Sequence, residues 1–474
     1  MKSRSITFSL CRFLAAITCG YASFSSHAEL LLDAHLTAQP DKTWQAKTGT
    51  ASGVTGMTAP LTLAELTELA LHNNPATREI WAAARAQAAA ADVAGSAYWP
   101  TLDANVSLSR GISSINTSSG VVSGNTQTRL SPSISLSYLL FDFGARAATE
   151  QSARYGSLAA NLNKDRVLQD VVLKVEQAYY QLLAARQTVV AAEETLKTVQ
   201  MSLTLANSRR QAGLATIGDV YQAETMLAQG HLQLRKAQGE AGKLKGVLCN
   251  SVGLPVTAKL EFAALAGRPP VREIRRSIDA YLEQARSARP DLAAAEAQAR
   301  AAYADIDAAA AQGRPALTLV ANAANTYNNF PDYRFDNASN SGSIGINLSV
   351  PLFDGFRTRD NVRQTRARAE QLDAARDRIA SQIELDVWQA YFDLDTAEAA
   401  IDSADALLRS AVRSRQVAES RYQSGVGNLP DLLSVQASEA SARMEVISAE
   451  MAWYANLSRL NNAIGIFSSE TGTK

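Results

Sequence analysis

Residues 208–219 read SRRQAGLATIGD and residues 420–431 read SRYQSGVGNLPD, two versions of one turn placed 212 positions apart. Arg209 matches Arg421, Gly213 matches Gly425 and Asp219 matches Asp431. A glycine suits the left-handed residue that closes a helix. Thr216 or Asn428, each followed three places later by an acid, suits the start of the next helix. Each stretch therefore reads as the tip of a helical hairpin.

The repetition extends outward from the tips. Leu140, Phe141 and Asp142 recur as Leu352, Phe353 and Asp354; Gln177, Ala178 and Tyr179 recur as Gln389, Ala390 and Tyr391. Leu248, Asn250 and Gly253 recur as Leu460, Asn462 and Gly465, again at an offset of 212. Pro75 and Pro100 recur as Pro290 and Pro315 at an offset of 215, so the length change falls between Pro315 and Leu352, where a loop is expected. The chain divides into an N-terminal segment at 29–60, a first repeat at 61–253, a linker at 254–275, a second repeat at 276–465 and a tail at 466–474.

Between Phe356 and Ser424 there is no Gly or Pro, and between Ala145 and Ala212 only Gly156. At 1.5 Å per residue such helices reach roughly 100 Å and need a partner along their whole length. The partner stripe is Val171, Val175, Ala178, Leu182, Ala185, Val189, Ala192, Leu196 and Val199 in the first copy. In the second it is Ile383, Val387, Ala390, Leu394, Ala397, Ile401, Ala404, Leu408 and Ala411. Steps of four and three with small and large residues in turn predict antiparallel coiled-coil pairs.

At the opposite end of each unit the period falls to two. Leu102, Ala104, Val106 and Leu108 alternate with Asp103, Asn105, Ser107 and Ser109; Ile134, Leu136, Tyr138 and Leu140 alternate with serines. Leu317, Leu319 and Ala321, then Ile344, Ile346, Leu348 and Val350, repeat the pattern. Runs of about ten residues with one apolar and one small polar face predict tilted membrane strands. The stretches SSINTSSGVVSGNTQT and NNFPDYRFDNASNSG read as the exposed loops joining them. Four strands cannot close a barrel, and an open edge in lipid leaves backbone groups unpaired. Other copies must complete it, and a trimer is the assembly inferred.

Forty-six basic and forty-six acidic side chains cancel, which argues against a nucleic-acid partner. Lys2 and Arg4, an apolar stretch and Ser26-His27-Ala28 predict a secretory signal over 1–28. Cys11 and Cys19 fall inside it, leaving Cys249 without a disulfide partner. AITC at 16–19 lacks the aliphatic residue three places before the cysteine that a lipoprotein site needs. Beyond the signal there is no apolar run of 18 residues for a helical span. His35, His72 and His231 lie far apart, Glu193 and Glu194 read as solvated helix-face charges, and no catalytic, metal or cofactor signature is present, so the chain does not read as an enzyme.

The duplicated order of helix, strand pair and long helical hairpin resembles the TolC family of outer-membrane export channels. So do Asn74-Pro75 and Arg289-Pro290, the LFD motif after each strand pair and both tips. The resemblance implies an α+β membrane protein: a long antiparallel coiled-coil α-helical barrel through the periplasm, continued by a β-barrel completed by trimerisation with four strands per chain. It implies a periplasmic adaptor protein and an inner-membrane ABC transporter or other pump as partners, with outer-membrane lipid around the strands. It places Asp219, Asp431 and Tyr422 at the periplasmic entrance gate. Arg209, Gly213, Arg421 and Gly425 are expected at the adaptor-docking tips, where the backbone turns tightly and stays exposed. Gly427 and Ser434 depart from the family, which can carry Arg and Asp at those places. Family members export proteins, including toxins, by type I secretion, or drugs and other small molecules by efflux.

Overall fold

A computed structural model describes residues 60–117, 120–258, 261–263, 269, 277–330 and 335–466. The expected signal at 1–28, nearly all of the 29–60 segment, most of the 254–275 linker and the tail from 467 lie outside the described residues.

In chain order the elements are α1 (Leu63–Asn73), α2 (Pro75–Gly95), β1 (Thr101–Thr117), β2 (Gly120–Phe141), α3 (Ala145–Gln211) and α4 (Ile217–Ser251). They continue with α5 (Ile278–Ala288), α6 (Pro290–Ala311), β3 (Ala316–Phe330), β4 (Phe335–Ser349), α7 (Arg357–Gln423) and α8 (Leu429–Ala463). The long helices α3 and α7 have 67 residues each and their return helices α4 and α8 have 35 each, so the two hairpins share one length.

Of the two expected stripes, all positions are buried except Val189, Leu196 and Leu408, which are half-buried. Leu196 packs closely on Gly230, where an added Cβ would lie 3.1 Å from its Cδ1. The helices stand in a row. Toward the tips the order is α4, α3, α8, α7; toward the strands it is α2, α3, α6, α7. Thus α3 and α7 are continuous staves, while the other two places are each filled by two helices meeting end to end.

Those two meetings explain residues that the repeat preserves. The Asn74 amide donates to the Ser251 carbonyl at 2.7 Å, and the Arg289 guanidinium donates to the Ala463 carbonyl at 3.2 Å, 212 residues further on. Gly253 and Gly465 close α4 and α8 with φ of +79° and +80°. A Cβ on Gly253 would lie 2.7 Å from the Asn73 carbonyl, and one on Gly465 would lie 2.9 Å from that of Ala288. Only glycine meets both demands.

The LFD motifs turn strand into helix. Phe143 and Gly144, and then Gly355 and Phe356, take positive φ, and the preceding aspartates hold the first helical turn. Asp142 accepts from the Arg146 amide at 2.8 Å, and Asp354 accepts from the Thr358 amide at 2.9 Å.

The strands form one antiparallel sheet in the order β1-β2-β3-β4. Its register puts Leu102 opposite Leu136, Ile134 opposite Ala323 and Leu319 opposite Ile346, so the apolar residues share one face across the sheet. Leu102, Val106, Leu108, Ile344, Ile346 and Leu348 are all exposed. The outer edges of β1 and β4 have no partner strand within the described chain. No helix among the described residues is long and apolar enough to cross a membrane.

The strands are longer than the ten residues expected, at 17, 22, 15 and 15. The stretches read as loops are largely strand, and their residues 118–119 and 331–334 lie outside the described residues. Polar side chains sustain the extra length by bonding across strands. Gln127 donates to Asn328 at 2.8 Å and Arg129 donates to the same oxygen at 3.1 Å.

Candidate functional site: the paired hairpin tips

Both long helices end in the same way. Gly213 and Gly425 adopt φ of +70° and +84°. The Leu214 amide donates back to the Arg209 carbonyl at 2.8 Å and the Val426 amide to the Arg421 carbonyl at 3.0 Å, satisfying carbonyls that a helix end leaves free. The return helices start differently. Thr216 and Asp219 form a complete capping box, the Asp219 carboxylate accepting from the Thr216 amide at 2.7 Å and its hydroxyl at 2.9 Å. At the second tip Asn428 accepts from the Asp431 amide at 2.8 Å, and the Asp431 carboxylate stays exposed.

The tips are fastened to each other by an apolar cluster in which Ala206, Ala223, Tyr422, Leu429, Leu432 and Leu433 are buried. Tyr422, 3% exposed, carries the polar part of the joint. The Arg209 guanidinium lies 4.7 Å from the centre of its ring and donates to its backbone carbonyl. The Tyr422 hydroxyl is buried with no hydrogen-bond partner among the described residues. Burial pushes its pKa up; Arg209 pulls it down and Asp219 adds to the rise.

The seven residues picked from the sequence therefore fall into three groups. Arg209 and Tyr422, assigned to different roles, form one contact. Asp219 is engaged with its own helix start. Arg421, Gly213, Gly425 and Asp431 are exposed. A Cβ at Gly427 would lie 3.0 Å from the Tyr422 nitrogen and 3.1 Å from the Arg421 carbonyl carbon. The tight second tip leaves a larger side chain little room.

Sequence reasoning missed two further features. Leu214 and Val426, 69% and 72% exposed, are the outermost apolar residues of the two tips. Their signal was available, since each follows a helix-closing glycine. Above the tips, buried Glu439 of α8 pairs with Arg415 of α7 and with Arg443, which reaches across to Glu194 of α3. Beside them Gln436 donates to Ser202 at 2.9 Å. Glu194 thus ties the hairpins together while staying exposed at the surface, as Glu193 does.

Comparison with known proteins agrees with this architecture. The family model described as outer membrane efflux protein matches residues 66–243 and 281–466, covering both halves. Protein CyaE of Bordetella pertussis is 32% identical over 384 residues, 81% of this chain and 79% of that protein. The pyoverdine export outer membrane protein OpmQ of Pseudomonas aeruginosa is 28% identical over 425 residues, 86% of this chain and 85% of that protein. The solved outer-membrane channel OprN superposes with a TM-score of 0.75 at 21% identity, covering 85% of this chain and 89% of that one. With both repeats matched by one family model, the chain belongs to the outer membrane efflux protein family and is a TolC-type channel of the outer membrane, reaching into the periplasm.

Proposed function

We propose that the chain is one third of an export duct for protein secretion, passive in itself and powered by an inner-membrane partner. The observation that carries this reading is the four-stranded sheet with an apolar outer face and two open edges, standing on staves of roughly 100 Å. A lone sheet of this kind cannot persist in lipid, because each unpaired backbone group costs several kcal/mol there. Three copies supply twelve strands and close the edges. The staves then reach an adaptor protein and pump across the periplasm.

In this reading Asp219, Asp431 and Tyr422 belong to the periplasmic entrance. Two carboxylates per copy crowd the opening and favour cations there. Arg209, Gly213, Arg421 and Gly425 frame the adaptor-docking end, with Leu214 and Val426 as its apolar contacts. Protein cargo is placed first because AITC at 16–19 is a poor lipidation site, as in secretion-type members of the family. Small-molecule efflux is the second reading, favoured by the likeness to a pyoverdine export protein.

A deletion strain separates the two. Loss of a protein from the culture supernatant, restored by the wild-type gene, is the expected result. An unchanged supernatant with heightened sensitivity to small toxic compounds would replace protein export by efflux.

A further inference from the structure

The face of the sheet opposite the apolar one carries little charge. One row across it reads Asn105, Ser133, Ala324 and Ser341, and another, nearer the hairpin ends of the strands, reads Ser109, Arg129, Asn328 and Asn337. On this face β2 presents serine at 131, 133, 135 and 137, and β4 presents only serine, asparagine and glycine at alternate places from Asn337 to Ser349. Among the described residues of this face the charged side chains are Asp103 and Arg129. At about 3.3 Å per residue, Asp103, which faces Ser135, stands roughly 20 Å from Arg129 along β2. That is more than two screening lengths at physiological salt, so Asp103 does not neutralise Arg129.

Arg129 is exposed, yet it is held in place. Its Nε donates to the Asn328 Oδ1 on β3 at 3.1 Å. The same oxygen accepts from Gln127 at 2.8 Å, so a neutral side chain already supplies that cross-strand tie and the fold has no need of a charge there. The Arg129 Nη1 and Nη2 have no partner among the described residues. A guanidinium pinned through Nε keeps its end-on edge, two parallel N–H donors that match two oxygens of a carboxylate or phosphate. Because one bond already fixes the group, less side-chain freedom is lost when an anion binds.

We propose that Arg129 is an oxyanion-binding site on the inner wall of the barrel, taking carboxylate or phosphate groups of solutes inside the duct. This rests on the reading of the protein as a closed duct with its polar face inward, and it adds a site toward the outer end. Threefold assembly sets three such guanidiniums at one level, so a solute bearing several anionic groups can engage more than one. The duct then carries opposite preferences at its two ends: carboxylates at the tips and guanidiniums toward the exit.

Single-channel recording in planar bilayers, with inorganic tripolyphosphate as the probe, tests the site. Added on the barrel side, tripolyphosphate should reduce the conductance of the unaltered protein at several-fold lower concentration than that of Arg129→Ser. Arg129→Lys, which keeps the charge and loses the fork, should fall between them. Equal sensitivity of the unaltered protein and Arg129→Ser would overturn the proposal, and so would block from the tip side alone. Arg129→Lys matching the unaltered protein would overturn the two-oxygen contact. If Arg129→Ser does not assemble, Arg129→Gln, which keeps a donor toward Asn328, takes its place. A preparation that conducts no current in any form would fail the duct reading itself, whereas one that conducts and is indifferent to Arg129 would fail only this site.

Discussion

Replacing Arg209 by Ala should loosen the closed tip, and the contact geometry sets how far. A desolvated guanidinium over an aromatic face is worth about 0.5–2 kcal/mol. Its hydrogen bond to the Tyr422 carbonyl adds about 1.5–3 kcal/mol as a charge-assisted bond. Arg209 is only half-buried, so the lower ends of those ranges apply, about 2 kcal/mol per tip. That corresponds to about a 30-fold shift in the opening equilibrium of one tip. Single-channel recording in planar bilayers should show a higher open fraction for Arg209→Ala than for the unaltered protein. Tyr422→Phe provides the contrast, since it keeps the ring and the carbonyl and removes a hydroxyl that has no partner. It should conduct like the unaltered protein. If Tyr422→Phe opened the channel as much as Arg209→Ala, the hydroxyl and Asp219 would hold the tip and the reasoning here would fail.

Other outcomes follow from the same geometry. Gly253→Ala should lower the thermal midpoint more than Gly213→Ala. Both take a positive φ, costing about 1–2 kcal/mol, but only the first meets backbone at 2.7 Å, which adds about 1–3 kcal/mol of overpacking. Circular dichroism on the detergent-solubilised protein would rank them. Glu439→Ala should cost about 2–3 kcal/mol, below the 3–5 kcal/mol of a fully buried pair because Arg415 and Arg443 are partly exposed. The same melting experiment checks it. Ile346→Arg, in the middle of the exposed apolar run Ile344, Ile346 and Leu348 of β4, should cost about 2–4 kcal/mol and deplete the protein from outer-membrane fractions, whereas Asn347→Arg on the other face should not.

Much of the architecture was legible because it is set by local rules. The absence of Gly and Pro over long stretches gave the staves, and the four-three stripe gave their packed face, which is buried except at half-buried Val189, Leu196 and Leu408. Strand lengths were less legible. Alternating apolar residues mark only the part that faces lipid, while the polar extension is held by cross-strand bonds such as Gln127 to Asn328.

The tips divide in the same way. Glycine and cap positions announce themselves within four residues, and they stand where expected. The Arg209–Tyr422 contact joins residues 213 apart in sequence, and nothing in either local stretch encodes it. The Glu439 network was hidden for a related reason: on an isolated helix its members look like ordinary surface charges, and only the packing of the helices buries Glu439 and brings Arg443 to Glu194.

The mass of the intact particle tests the central claim most directly. Native mass spectrometry of protein extracted from outer membranes into mild detergent should give three chains per particle, because one chain supplies a third of the strands needed to close the sheet. A stable particle of a single chain would mean that the edges of β1 and β4 are closed some other way, and the duct would have to be given up.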